Sequence, residues 1–125
     1  MLANKDAAAN IAVKDLAKAA KFYEGTLGLK RLEQQGEEAI TYSSGRSQII
    51  VYRSEFAGTN RATAMTWTAG GDIEAIVQAL RGKGVRFESY DMPGMKREGD
   101  IHVFGDLKAA WFKDPDGNIL SVMNG

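Results

Sequence analysis

Ala110-Trp111-Phe112-Lys113-Asp114-Pro115-Asp116-Gly117-Asn118-Ile119-Leu120-Ser121 reads as a strand, a tight turn and a second strand. Pro115 presets φ for the turn, Asp114 can bond back to the turn backbone, and Gly117 supplies a left-handed position. Aromatic and β-branched residues on both sides complete a hairpin pattern.

Upstream of this hairpin the chain reads as one unit written twice. Ala9–Val13 is a short apolar strand, and Asp15 is a helix N-cap candidate. Leu16, Ala19, Ala20, Tyr23 and Leu27 then fall at helical spacing, and Gly28 can end the helix with φ > 0. Strands are expected at Lys30–Gln34, Ala39–Tyr42 and Gln48–Arg53, the last two joined by the turn Ser43-Ser44-Gly45-Arg46. The second copy runs in the same order. It has a strand at Thr63–Thr68, an N-cap at Asp72, an apolar face of Ile73, Ile76, Val77 and Leu80, a stop at Gly84, and a strand from Val85 to Ser89. The Asp15/Asp72 and Gly28/Gly84 pairs share one offset to within a residue, which points to an internal repeat. Tyr90–Asp100 reads as an inserted loop, marked by Pro93-Gly94 and Gly99-Asp100.

Strand, helix and three strands, repeated, give an α+β domain. The copies are expected at about 7–55 and 61–125 of a single domain spanning residues 1–125. Each helix would cover one side of its sheet, leaving the curved mixed sheet to enclose a cleft with its other side.

Composition narrows the function. With 125 residues the chain is one domain's worth, and 44% hydrophobic with 26% charged residues is the balance of an ordinary globule. Sixteen basic and sixteen acidic residues cancel, so no excess charge is available for phosphates, and nucleic acid is an unfavoured partner. No cysteine is present, which removes disulfides, thiolate nucleophiles and zinc–thiolate sites. The apolar runs are too short to cross a bilayer, and Met1–Asp6 lacks the pattern of a secretory signal. A cytoplasmic protein with no membrane partner is expected.

Three segments carry a resemblance. They are Ile11-Ala12-Val13-Lys14-Asp15-Leu16 leading to Phe22-Tyr23-Glu24 and Leu27-Gly28-Leu29, Asp72-Ile73-Glu74-Ala75 leading to Gly82-Lys83-Gly84-Val85, and the closing hairpin. In this order and spacing the chain resembles the vicinal oxygen chelate superfamily of glyoxalases, bleomycin-resistance proteins and extradiol dioxygenases. The resemblance implies paired βαβββ modules around a cleft and, in single-domain members, a homodimer. In metal-using relatives four positions supply His, Gln or Glu to a divalent ion that polarises or binds oxygen. Here those positions fall on Ala8 (or its neighbours Ala9 and Asn10), within Thr63–Thr66, near Gln48 in the fourth strand, and on Ser121. No register restores the usual ligands, so neither a metal nor another cofactor is expected.

The remaining candidates would line the cleft. His102, the only histidine, sits in the alternating stretch Asp100–Phe104 and would face the cleft if Ile101 and Val103 face the helix. It could act as a general base, with Asp91 or Asp100 orienting it. Asn10, Thr41, Gln48, Tyr52, Trp67, Tyr90, Met92, Phe104, Trp111 and Ser121 are the candidate ligand-binding residues, the aromatics by stacking on a flat ligand. Beside a plain partner-binding or structural module, two functions remain open. One is a metal-independent protein that binds or sequesters a small organic molecule, as bleomycin-resistance-like relatives do. The other is a lyase, isomerase or dioxygenase with an atypical site using His102.

Overall fold

The computed structural model describes residues 1–125 and divides into two compact units, Met1–Thr59 and Asn60–Gly125. In the first unit, β1 (Ala9–Val13) is followed by α1 (Leu16–Ala20), a π-helical turn (Lys21–Thr26), β2 (Lys30–Gln35), β3 (Ala39–Ser44) and β4 (Ser47–Arg53). The sheet order is β1-β4-β3-β2, with β1 parallel to β4 and the other pairs antiparallel. This is the βαβββ module expected from the sequence. Alternation puts Ile11, Val13, Ile40, Tyr42, Ile49 and Val51 on one face, where they pack with Leu16, Ala19 and Tyr23 as a buried core.

Asp15 is the N-cap of α1, its Oδ1 accepting the Lys18 backbone N–H at 3.1 Å. The single helix expected through Leu27 is not uniform. From Lys21 its hydrogen bonds widen to five-residue spacing, with the Leu27 N–H donating to the Phe22 carbonyl at 2.9 Å. The wider turn leaves Tyr23 fully buried while Glu24 still reaches the Tyr42 hydroxyl at 2.7 Å.

The second unit contains β5 (Thr63–Thr68), a 3₁₀ turn (Gly70–Asp72), α2 (Ile73–Gly82), β6 (Lys96–Glu98), β7 (Ile101–Phe104), β8 (Leu107–Lys113) and β9 (Ile119–Met123). Its sheet order is β5-β9-β8-β7-β6, with β5 parallel to β9. Ile73, Val77, Leu80, Ile101, Ala110, Phe112, Leu120 and Val122 are buried.

Three expectations for this unit are corrected. Asp72 makes no side-chain capping bond, because it closes the 3₁₀ turn that leads into α2. Val85–Ser89 is not a strand. β7 already pairs with β8 along Leu107–Ala109, so the returning chain meets only the far end of β8. There Phe87 forms an isolated bridge to Phe112, and the Glu88 N–H donates to the Trp111 carbonyl at 2.7 Å. The Tyr90–Asp100 segment is not all loop either. Its Lys96–Glu98 stretch is β6, an exposed edge strand turning into β7 at Gly99, whose φ of +64° needs glycine.

The closing hairpin is built as the sequence implies. Asp114 Oδ1 accepts the backbone N–H groups of Asp116 at 3.0 Å and Asn118 at 2.9 Å, and Oδ2 accepts the Asn118 side-chain amide at 2.8 Å. Asp114 and Asn118 are both buried, so the turn is a fully bonded plug that sets the β8–β9 register of Trp111 opposite Ser121. No helix is long and apolar enough to cross a membrane.

Candidate functional site

Register decides which side chains share a surface. In the first sheet, the face away from α1 carries Asn10 (opposite Ile50), Thr41 (opposite Ile50), Gln48 (opposite Ser43) and Tyr52 (opposite Ala12 and Ala39). Four candidate residues are therefore gathered on one open face. Tyr52 is 38% exposed there, and Asn10 and Gln48 are exposed. Tyr42 lies on the opposite, helix-covered face and is core.

In the second sheet, His102 pairs with Ala109, and Trp111 pairs with Ser121. Alternation puts His102, Phe104, Trp111 and Ser121 together on the face away from α2. Ile101 and Val103 point to the helix side, the alternative on which the placing of His102 depended. Trp67 does not join this group. It is opposite Val122 and stacks on Phe112 with ring centroids 6.4 Å apart, on the helix side of the sheet. Met92 is exposed in the segment before β6.

Polar groups on this second face satisfy one another. The Ser121 hydroxyl, 1% exposed, shares a 2.6 Å hydrogen bond with the Thr66 hydroxyl. The Trp111 indole N–H donates to Thr63 Oγ1 at 3.1 Å. His102 is fully buried, and its Nε2 accepts the Tyr90 backbone N–H at 3.0 Å. That bond assigns the lone pair to Nε2, so in the neutral ring the proton sits on Nδ1. Nδ1 has no hydrogen-bond partner. Trp111 stands edge-on to His102 (5.0 Å, 82°) and to Tyr90 (5.4 Å, 85°), while Tyr90 is tilted against His102 at 5.8 Å.

Neither Asp91 nor Asp100 orients His102. Asp100 is taken by Arg81, whose Nε and Nη2 reach Oδ2 at 2.9 and 2.6 Å, and no carboxylate accepts from the His102 ring, whose one hydrogen bond is the Tyr90 N–H donating to Nε2. Thr63 and Arg97 were not among the candidate ligand-binding residues, yet they touch this site. Thr63 holds Trp111, and Arg97 is the register partner of His102 on β6. Arg97 bonds the Ser89 hydroxyl and the Gly99 carbonyl.

At the positions where the resemblance implies metal ligands, Gln48 is the one residue of the usual ligand types. In the second unit the donors are two neutral hydroxyls bonded to each other, and Ala8 has no donor atom at all. Divalent ions in such sites take imidazole or carboxylate groups. No group of three or more His, Cys, Asp or Glu side chains comes together.

The first unit has its polar cluster on the helix side instead. Glu24 Oε2 accepts the Tyr42 hydroxyl at 2.7 Å and the Arg31 Nε and Nη2 groups at 3.0 and 2.5 Å. Burial opposes ionisation of Glu24, but the hydrogen bonds from Arg31 and Tyr42 outweigh it and hold the carboxyl below its ordinary value. Burial, then the bond to Glu24, pushes the Tyr42 phenol well above its ordinary value. A groove of about 530 Å³ opens beside this cluster, lined by Lys14, Asp15, Arg31, Gln34, Glu37 and Arg53 among others. Its volume suits a small ligand, and its lining mixes these charged and polar side chains with the apolar Leu16, Ala17, Ala20 and Ile40. Arg31 is paired with Glu24 and Arg53 with Glu38. None of the candidate ligand residues lines it.

Comparison with known proteins identifies the class. Residues 7–122 match the family model for the Glyoxalase/Bleomycin resistance protein/Dioxygenase superfamily, and the chain belongs to that superfamily. Among solved structures, it resembles a glyoxalase family protein from Enterococcus faecalis at 17% identity and a TM-score of 0.74, covering 98% of this chain and 99% of that one. TnmS3, an antibiotic binding protein from Streptomyces sp. CB03234, matches at 21% identity and a TM-score of 0.67, covering 98% and 96%. The fosfomycin resistance protein FosX from Listeria monocytogenes matches at 12% identity and a TM-score of 0.72, covering 95% and 91%. At these identities the likeness is one of fold.

Proposed function

We propose that this protein binds and sequesters a small aromatic organic molecule on the open sheet faces, without a metal. The observation that carries the reading is the Thr66–Ser121 pair. Where metal-using relatives are expected to place ligands, two hydroxyls close on each other, beside the aromatic group of Tyr90, His102 and Trp111. Stacking surfaces with a few placed polar groups suit binding of a flat molecule. TnmS3, described as an antibiotic binding protein, is a fold relative whose description agrees with this reading.

The enzyme reading with His102 as general base is weaker. A base needs a free lone pair within reach of substrate. The Nε2 lone pair of His102 is engaged by the Tyr90 N–H, which leaves the neutral ring no free lone pair.

In this proposal the two units are the two copies of one domain spanning residues 1–125, acting as a cytoplasmic homodimer. Zero formal charge leaves self-association unopposed. Elemental analysis after a mild chelator wash tests the metal-free claim, for which less than stoichiometric Zn, Ni, Mn or Fe is expected. A near-stoichiometric ion surviving the wash would contradict it. Light scattering should give the mass of two chains, and a monomer at micromolar concentration would remove the dimer from the proposal.

A further inference from the structure

The partnerless Nδ1 of His102 stands apart from the bonded groups around it. A buried donor without an acceptor is costly, and few native groups are left in that state. Thr66 and Ser121 pair with each other, Trp111 with Thr63, and Nε2 with Tyr90. Only Nδ1 is unmatched among the buried side-chain nitrogen and oxygen atoms of the protein. The Tyr90 and Trp111 rings that pack against the imidazole are both only half-buried, and Tyr90 belongs to no strand.

We infer that the Nδ1–H of His102 is the specificity-determining donor of the binding face, and that it selects an aromatic ligand carrying an oxygen acceptor. An anionic acceptor, a carboxylate or phenolate, is favoured over a neutral one. Arg97, opposite His102 in the β6–β7 register, bonds only the uncharged Ser89 hydroxyl and Gly99 carbonyl, so its charge is not neutralised by those partners. The ligand's ring would take the place of the Tyr90 ring against Trp111. His102 acts here as a donor and transfers no proton.

This inference rests on the binding function proposed above, and a matched pair of probes separates the two. Naphthoate carries the acceptor, and methylnaphthalene has nearly the same shape without it. Binding is read by tryptophan fluorescence and by the imidazole resonances of the single histidine in ¹⁵N-labelled protein. Naphthoate is expected to bind at least about tenfold tighter than methylnaphthalene and to shift the Nδ1–H resonance. In His102→Gln the side-chain amide can still accept the Tyr90 N–H from the Nε2 position but offers no donor at Nδ1, so the preference should vanish. His102→Asn places an amide donor near Nδ1 and should retain part of it. Equal affinity for the two probes, or naphthoate binding with an unmoved Nδ1–H, would overturn the inference and leave the binding function standing. Binding of neither probe would overturn both. The wild-type resonance decides the matter even if a variant does not fold.

Discussion

Both units pair their first strand in parallel with their last beside a helix, yet they put their polar networks on opposite sides of the sheet. In the first unit, Glu24, Arg31 and Tyr42 bond one another on the helix side, and the open face presents Asn10, Thr41, Gln48 and Tyr52 toward the surface. In the second, the helix side is apolar around Phe112 and Trp67, and the open face carries Thr63, Thr66, His102, Trp111 and Ser121 in hydrogen-bonded or ring contact. A polar cluster under a helix fixes the fold. The same kind of cluster on the face away from the helix can both fix the face and meet a ligand.

If the helix sides are the stabilising sides, damage there should cost most. Phe112→Ala removes a ring that is 1% exposed and touches both Trp67 and Phe87, and should cost about 3–5 kcal/mol in urea unfolding. Tyr42→Phe leaves the core volume but deprives Glu24 of a donor, and should cost about 1–2 kcal/mol. Ser121→Ala should cost about 0.5–1.5 kcal/mol, because the exposed Thr66 can turn its hydroxyl to water. Gln48→Ala on the first open face should change stability by less than about 0.5 kcal/mol. Ser121→Ala proving costlier than Phe112→Ala would reverse the assignment of the two sides.

Acid titration sharpens the contrast. The Glu24 carboxyl lies below its ordinary value in the folded protein, so the stability it confers is complete above that ordinary value. It is lost as pH falls through the folded value. Glu24→Gln should therefore flatten the acid limb of the unfolding profile, and an unchanged limb would deny Glu24 that role. Tyr42 has the opposite sign. Its raised phenol contributes stability that is complete below the ordinary tyrosine value and lost only as pH rises through the higher folded one.

Much of this was legible in the sequence. β1 and β5 lie where their apolar and threonine-rich patterns place them, and Asp114-Pro115-Asp116-Gly117 makes the turn its residue types require. β6 was not legible, since Lys96-Arg97-Glu98 has neither alternation nor strand propensity and is held only by its partner β7. Nor was the widened turn after Lys21, because a helical apolar pattern does not distinguish four- from five-residue bonding. Site membership was hidden by register. The shift between Thr63 and Met65 puts Thr63 and Thr66 on one face although their spacing alone would separate them. Simple alternation is therefore unreliable at the edge strand that holds Trp111, and the face of Trp67 emerged only with its stacking on Phe112.

The most direct test of the central claim is a fluorescence titration of chelator-treated protein with naphthoate, repeated after adding back a divalent ion. Saturable binding that is the same before and after the addition is predicted, since Thr66 and Ser121 hold each other rather than a metal. Binding that is absent after chelation and restored by the ion would contradict it.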